Sequence, residues 1–137
     1  MPFEELAHTA DWALRVRAAD LAELFAESAR GMNALTGAQP LSAVEGSGPR
    51  AHRIMTLSAP DAESLLVAFL SELVYAAEQE HLVFDEFKIQ VEGQTLKVEM
   101  DGALLESINK TIKAVTYHNL QIRETEGGVE VEIVFDV

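Results

Sequence analysis

The sequence predicts a single α+β domain, and three observations lead to that prediction. The chain has 137 residues, of which 48% are apolar, so one hydrophobic core is expected. Two stretches carry apolar residues at helical spacing, and roughly six or seven shorter ones fit strands. The helical and strand patterns occur in runs instead of alternating strictly, which is typical of α+β and not of a parallel α/β sheet.

The N-terminal part predicts two strands followed by a helix. Phe3–Leu6 is a short strand candidate, and Ala13–Ala18 alternates apolar and polar residues like a half-buried strand. Asp20 is placed to cap a helix, and Glu23 completes a capping-box pattern. Gly37 supplies the C-terminal end of that helix.

The middle of the chain predicts an exposed loop, a strand, a second helix and a β-hairpin. In order, these are Ala38–Pro49, His52–Leu57, a helix opened by Asp61 with an apolar stripe from Leu65 to Ala77, and the hairpin arms Leu82–Val91 and Thr95–Met100. His52 and His81 have no polar company in the sequence, and we assign them no role.

The C-terminal part predicts an irregular stretch and two further strands. Asp101–Ser107 is expected to be irregular, and Ile112–Ile122 to be a long strand. A turn at Glu126-Gly127-Gly128 leads into the last strand. On that strand alternate residues from Val129 to Phe135 face the core, which leaves Glu130, Glu132, Val134 and Asp136 on the opposite face.

Composition excludes several classes of function. No apolar run approaches the roughly 20 residues needed to span a bilayer, and no signal peptide is visible, so we expect a cytoplasmic protein. The absence of cysteine excludes disulfides, thiolate metal sites and a cysteine nucleophile. The formal net charge of -13 disfavours direct nucleic-acid binding. The same charge favours a basic protein partner, although simple solubility is the alternative explanation.

The two ends of the chain carry a candidate metal site. Asp11, Asp136 and the terminal carboxylate of Val137 would form one oxygen-rich site if the fold brings the ends together. Hard cations such as Mg²⁺, Ca²⁺ or Mn²⁺ prefer such oxygen ligands. The alternative is that Asp11 caps a turn and Asp136 is a solvated acid, and the residue pattern alone favours this alternative.

Two further features are chemically unusual. His8 is either a metal ligand or general base, or it makes a local hydrogen bond in its turn. On the predicted strand Lys113, Val115 and Tyr117 share one face, where a cation and a phenol could meet a phosphate or an acidic partner loop. The alternative is a rim lysine beside a packing tyrosine. No phosphate loop, HExxH motif or nucleophile elbow is present, so no self-sufficient active site is expected.

Together these motifs resemble the archease family over essentially the whole chain. The resemblance rests on the turn Glu5-x-x-His8-Thr9-Ala10-Asp11, the two helices, the run Ile112–His118 and the C-terminal apolar-apolar-Asp-apolar pattern. Asn119 stands where the family pattern has glycine, and no histidine directly precedes Lys110. The resemblance implies a single domain over residues 1–137 with a strand-helix-strand-strand (SHS2-like) core. A helix and β-hairpin unit would be inserted at roughly residues 38–110 of that core.

The resemblance also implies a function. Archeases are accessory proteins that activate RtcB-type RNA ligases, by promoting guanylylation and multiple turnover in tRNA splicing and RNA repair. They are not enzymes themselves. The family's divalent-cation site (Ca²⁺, Mg²⁺ or Mn²⁺) falls on Asp11, Asp136 and Val137 here. Lys113 falls among the candidates for ligase contact, with His8 and His118 as supporting neighbours.

Under this interpretation the ligase is the partner, and we expect a monomer that binds neither membrane nor nucleic acid. Two other interpretations stay open. The first is a general acidic chaperone or adaptor for nucleic-acid enzymes, without chemistry of its own. The second is a stand-alone metal-dependent hydrolase, for which the sequence offers no convincing substrate pocket or base.

Overall fold

The computed structural model describes residues 2–6, 12–41 and 51–137, and it confirms the α+β fold class. The described helices are α1 (Leu21–Thr36) and α2 (Ala62–Gln79). The described strands are β1 (Phe3–Leu6), β2 (Trp12–Ala18), β3 (Gln39–Pro40), β4 (Ala51–Ser58), β5 (Leu82–Glu92), β6 (Thr95–Ser107), β7 (Ala114–Val115), β8 (Arg123–Thr125) and β9 (Gly128–Asp136).

These strands form two antiparallel sheets. The terminal sheet has the order β1-β2-β9-β7, and β8 also pairs with β9. The central sheet is built on β6, which pairs with β3, β4 and β5. The terminal sheet thus contains strands from both ends of the sequence, whereas the central sheet contains only strands from the middle.

The ends of α1 lie where the capping residues predict. The Oδ1 atom of Asp20 accepts a hydrogen bond from the backbone N–H of Glu23 at 2.9 Å. At the other end Gly37 has a φ of +68°, a left-handed conformation that glycine adopts without steric cost. The second helix begins in the same way, because Asp61 accepts a hydrogen bond from the N–H of Ser64 at 2.7 Å.

The hydrophobic core joins both sheets through the two helices. Phe25 of α1 stacks on Phe69 of α2 with ring centroids 6.1 Å apart. Phe69 in turn meets Phe87 of β5 edge-on at 5.9 Å. Ile133 and Phe135 of β9 are fully buried, as the alternation predicts. Neither described helix is both long and apolar enough to cross a membrane.

The prediction that Asp101–Ser107 is irregular is wrong. β6 continues without interruption to Ser107, and Leu104 pairs with Leu82 of β5. The register shifts between Phe84 and Glu86, where β5 has a bulge. A Cβ atom on Gly102 would lie 2.0 Å from the carbonyl oxygen of Val83. The glycine that resembles a strand breaker is therefore required by a close backbone approach inside the sheet.

The prediction of one long strand over Ile112–Ile122 is also wrong. Only Ala114 and Val115 pair with β9, and the chain then turns. The N–H of Leu120 donates to the carbonyl oxygen of Tyr117 at 3.1 Å. Asn119 in this turn has a φ of +51°, which asparagine tolerates better than most residues. The sequence pattern missed this turn because asparagine, and not glycine, occupies its left-handed position.

Two smaller predictions also differ from the structure. Val134, expected on the outward face of the last strand, is only 7% exposed and pairs with Ala13, which is buried too. In the predicted loop Ala38–Pro49, the residues Gln39 and Pro40 pair with β6. Residues 42–50 of that loop lie outside the described part of the chain.

Candidate functional site

The pairing of β2 with β9 brings the start of β2 and the end of β9 together at one end of the terminal sheet. Trp12 pairs with Phe135, and the register continues to Ala18 and Val129. In the sequence Asp11 directly precedes Trp12, and Asp136 directly follows Phe135. Asp11 and His8 themselves lie outside the described residues, so the structure gives them no position.

Asp136 and Val137 form what we call the acidic end. Asp136 is exposed at the end of β9, and Val137 is partly buried. The carbonyl oxygen of Asp136 accepts a hydrogen bond from the backbone N–H of Lys113 at 2.8 Å. The structure therefore brings three predicted site residues together, since the exposed Lys113 adjoins Asp136 and Val137.

The carboxylate of Asp136 differs from the other outward acids of β9. Arg17 forms an ion pair with Glu130, and this hydrogen bond lowers the pKa of the Glu130 carboxyl. Arg15 binds Glu132 at 2.6 Å. Among the described residues, no cation forms such a pair with Asp136. β2 therefore supplies an arginine for each of the two glutamates, whereas the described part of the chain supplies none for Asp136.

Lys110, which no pattern in the sequence singles out, also lies at this end of the sheet. Its Nζ atom lies 4.4 Å from the centroid of the Trp12 ring, a cation–π distance. Trp12 adjoins Asp11 in sequence, so Lys110 is a second cation beside the candidate site. The sequence carries no signal of this contact, because the two residues are far apart in the chain and meet only through the fold.

The segment that carries both lysines, Ile108–Lys113, is attached at each end. The carbonyl oxygen of Thr36, in the last turn of α1, accepts hydrogen bonds from the N–H groups of Asn109 at 2.9 Å and Lys110 at 3.2 Å. The N–H of Lys113 binds Asp136 as described above. The end of α1 and the end of β9 thus set the backbone position of Lys110 and Lys113.

His118 lies in the turn after β7. Its backbone N–H donates to Thr116 Oγ1 at 3.2 Å, and its Nε2 atom lies 3.3 Å from Asn119 Nδ2. The predicted face shared by Lys113, Val115 and Tyr117 does not form, since β7 covers only Ala114–Val115. Val115 is buried, whereas Lys113 and Tyr117 are exposed.

The chemistry of the acidic end suits a hard divalent cation. Asp136 supplies carboxylate oxygen atoms, which are ligands that Ca²⁺, Mg²⁺ and Mn²⁺ prefer. Within residues 2–6, 12–41 and 51–137, no three His, Asp or Glu side chains are grouped so as to hold a metal ion. The donor set predicted from the sequence needs Asp11 as well, and that residue falls outside these ranges.

A polar cluster on the central sheet corrects the prediction for His52. Its Nδ1 atom lies 2.7 Å from Asp101 Oδ1, and its Nε2 atom lies 3.5 Å from Glu99 Oε2. The expectation that His52 lacks polar company is therefore wrong. Asp101 and Glu99 belong to β6, which pairs with β4 in a register that the sequence did not reveal.

The chain is similar to the members of one protein family over nearly its whole length. The model of the Archease protein family (MTH1598/TM1083) matches residues 3–137. The protein archease of Methanosarcina barkeri is 34% identical over 146 residues, which cover 98% of this chain and 95% of that protein. The protein archease of Methanopyrus kandleri is 30% identical over 145 residues, which cover 100% of each chain.

Two solved structures share the fold. The solution structure of protein 1598 of Methanobacterium thermoautotrophicum superposes with a TM-score of 0.72 at 23% identity, covering 99% of both chains. The crystal structure of an archease from Thermotoga maritima, described as a possible chaperone, has a TM-score of 0.70 at 19% identity. It covers 98% of this chain and 96% of that one.

Proposed function

This chain belongs to the archease family, and from that premise we propose that it activates an RtcB-type RNA ligase. It acts as an accessory protein and not as an enzyme, promoting guanylylation of the ligase and multiple turnover in tRNA splicing and RNA repair. It works in the cytoplasm as a monomer. The observation that carries the proposal is the family match, which runs over residues 3–137.

Asp11, Asp136 and the α-carboxylate of Val137 hold a divalent cation, which is Ca²⁺, Mg²⁺ or Mn²⁺. The register supports this part of the proposal, because Trp12, the neighbour of Asp11, pairs with Phe135, the neighbour of Asp136. The exposure of Asp136 supports it too, since the acidic end must reach the ligase. The bound cation would supply positive charge beside the phosphates at the guanylylation site.

Lys113 contacts a phosphate or an acidic ligase residue. Its backbone hydrogen bond to Asp136 supports this role, since it places the lysine beside the acidic end. Lys110, stacked on Trp12, adds a second cation nearby. His8 and His118 are supporting residues.

The net charge of -13 explains why RNA itself is not the ligand. The acidic protein repels free RNA, whereas a cationic cleft of the ligase attracts the acidic protein. The same charge favours one alternative, a general acidic chaperone or adaptor. That alternative predicts salt-sensitive binding to many basic proteins, unaffected by a change at Asp136.

The test is multiple-turnover RNA ligation by the RtcB-type ligase of the same organism, with GTP and a divalent metal. The untagged protein is expected to stimulate at substoichiometric amounts, and Asp136→Asn to abolish that stimulation. Glu92→Gln, which removes one exposed charge at the β5–β6 turn, is the matched control and retains it. Equal stimulation by wild type and Asp136→Asn would show that the acidic end is not used.

Cation binding can be measured directly through Trp12, the only tryptophan in the chain. Ca²⁺, Mg²⁺ and Mn²⁺ are each titrated while tryptophan emission is recorded. A saturable change is expected in the wild type and is lost in Asp136→Asn. Identical titration curves for the two proteins would remove Asp136 from the cation site, whatever the ligation assay shows.

A further inference from the structure

A cavity of about 230 Å³ opens between the C-terminal ends of the two helices. The last turns of α1 and α2 form two of its walls, and the beginning of β5 forms a third. The segment that follows β6 closes the remaining side, with Ile108, Thr111 and Ile112. The cavity is therefore separate from the acidic end but shares the segment Ile108–Lys113 with it.

The interior of the cavity is largely apolar, and two of its polar side chains, Asn33 and Thr36, are bound to backbone carbonyl groups. Thr36 Oγ1 donates to the carbonyl oxygen of Met32 at 3.2 Å, and Asn33 Nδ2 donates to that of Phe84 at 2.9 Å. Throughout the described part of the chain, no buried side-chain nitrogen or oxygen lacks a partner. Since an apolar cavity of roughly 150 Å³ accommodates benzene, this one admits a large aliphatic or aromatic side chain.

The mouth of the cavity carries an uncompensated negative charge. Glu78 lines the cavity from the last turn of α2 and is exposed. A helix C-terminus has a partial negative charge that disfavours an acid, and neither described helix has a basic residue in its last turn. Glu80 nearby is paired with Arg53, at 2.9 Å and 3.0 Å. Glu78 has no ion pair among the described residues, so a cation at the mouth would be favoured.

We propose that this cavity receives one large apolar side chain from a protein partner, with a lysine or arginine next to it in the partner's sequence. The apolar interior selects the apolar side chain, and Glu78 together with the helix C-termini selects the lysine or arginine. The inference rests on the proposed function, because the partner that presents this segment is the ligase. A basic segment also complements the net charge of -13.

The shared segment connects the cavity with the acidic end. Ile112 lines the cavity and is 3% exposed. The next residue, Lys113, donates its N–H to the carbonyl oxygen of Asp136. A partner side chain seated in the cavity therefore contacts Ile112, the residue directly before the one that is hydrogen-bonded to the acidic end. The cavity would anchor the ligase while the acidic end reaches its guanylylation site.

The first experiment measures the dissociation constant for the ligase with three variants. Ala77→Leu fills the cavity from α2 with a good helix former, and it should weaken binding about tenfold or more, the equivalent of one buried aliphatic side chain. Glu78→Gln should weaken binding about threefold, as expected for an exposed charge pair. Glu92→Gln, at the far end of β5, should bind like wild type. A thermal midpoint of Ala77→Leu at or above the wild-type value shows that the variant is folded.

The second experiment uses small probes without the ligase. n-Hexylammonium and hexanoate have the same apolar chain and opposite charge. In methyl NMR spectra, n-hexylammonium should shift the signals of Leu73, Val74 and Ile112, which line the cavity. Hexanoate should bind more weakly, and Ala77→Leu should abolish the shifts.

The two experiments separate this inference from the proposed function. If wild type binds and stimulates the ligase but Ala77→Leu binds it equally well, the anchoring role is overturned and the proposed function stands. If no form binds the ligase, the proposed function fails and the ligase is not the occupant. The probe experiment then tests the chemistry of the cavity. Stronger binding of n-hexylammonium than of hexanoate supports a ligand that is both cationic and apolar. Equal shifts with the two probes overturn the preference for a cation.

Discussion

Substitution of Gly37 by alanine tests how the end of α1 holds the segment that carries the two lysines. Gly37 has a φ of +68°, and a Cβ atom there would lie 2.3 Å from Asn109 Nδ2 and 2.9 Å from Asn109 Cγ. Asn109 is not free to withdraw entirely, since its backbone N–H donates to Thr36. Gly37→Ala therefore imposes both backbone strain and a steric contact.

The expected loss in free energy of unfolding is about 2 kcal/mol. The left-handed conformation costs an alanine roughly 1–2 kcal/mol, partly offset by about 0.4–1 kcal/mol from reduced entropy of the unfolded chain. Displacing the Asn109 side chain from its rotamer adds about 0.5–1.5 kcal/mol. For a chain of this length a loss of about 2 kcal/mol lowers the midpoint of thermal unfolding by roughly 7 °C.

The measurement is urea and thermal unfolding followed by circular dichroism, in a double-mutant cycle with Asn109→Ala. In the Asn109→Ala background the cost of Gly37→Ala should fall to about 1 kcal/mol, because the contacts with Nδ2 and Cγ are removed while the backbone strain and the 3.2 Å contact with the Cβ atom of residue 109 remain. Gly127→Ala is the matched control, since a Cβ atom there meets nothing within 4 Å. It should change stability by less than about 0.5 kcal/mol. A cost of Gly37→Ala that is unchanged by Asn109→Ala would refute the steric contact.

Two further predictions concern stability. The hydrogen bonds from Arg53 lower the pKa of the Glu80 carboxyl below its ordinary value of 4.5, so this pair stabilises the fold above pH 4.5 and the stabilisation is lost as the pH falls through the lowered pKa. Glu80→Gln should therefore flatten the decline of the unfolding free energy below pH 4.5. Arg53→Lys, which keeps the positive charge but not the two parallel hydrogen bonds, should flatten the decline less. An unchanged slope in Glu80→Gln would disprove the role of this ion pair. Asp20→Ala should cost about 1 kcal/mol in urea unfolding through loss of the helix cap, and Asp20→Ser much less. Equal losses in the two Asp20 variants would argue against capping.

Local signals in the sequence determined the helices and the last strand. The cap at Asp20 and the stop at Gly37 act within a few residues of themselves, so the sequence is sufficient to place both ends of α1. The apolar alternation of β9 likewise predicted that Ile133 and Phe135 are buried. The acidic and apolar pattern at the C-terminus also singled out Asp136, which the structure leaves exposed.

The tertiary structure decided everything that depends on residues distant in sequence. Gly102 resembles a break in a strand until the carbonyl of Val83 is seen against it. The contact of Lys110 with Trp12 depends on the fold, and the residues around neither of them in the sequence indicate it. The cavity likewise exists only because two helix ends meet one loop segment. Capping and periodicity are short-range properties, whereas strand register and cavities arise from the packing of whole elements, so sequence patterns predict the former and not the latter.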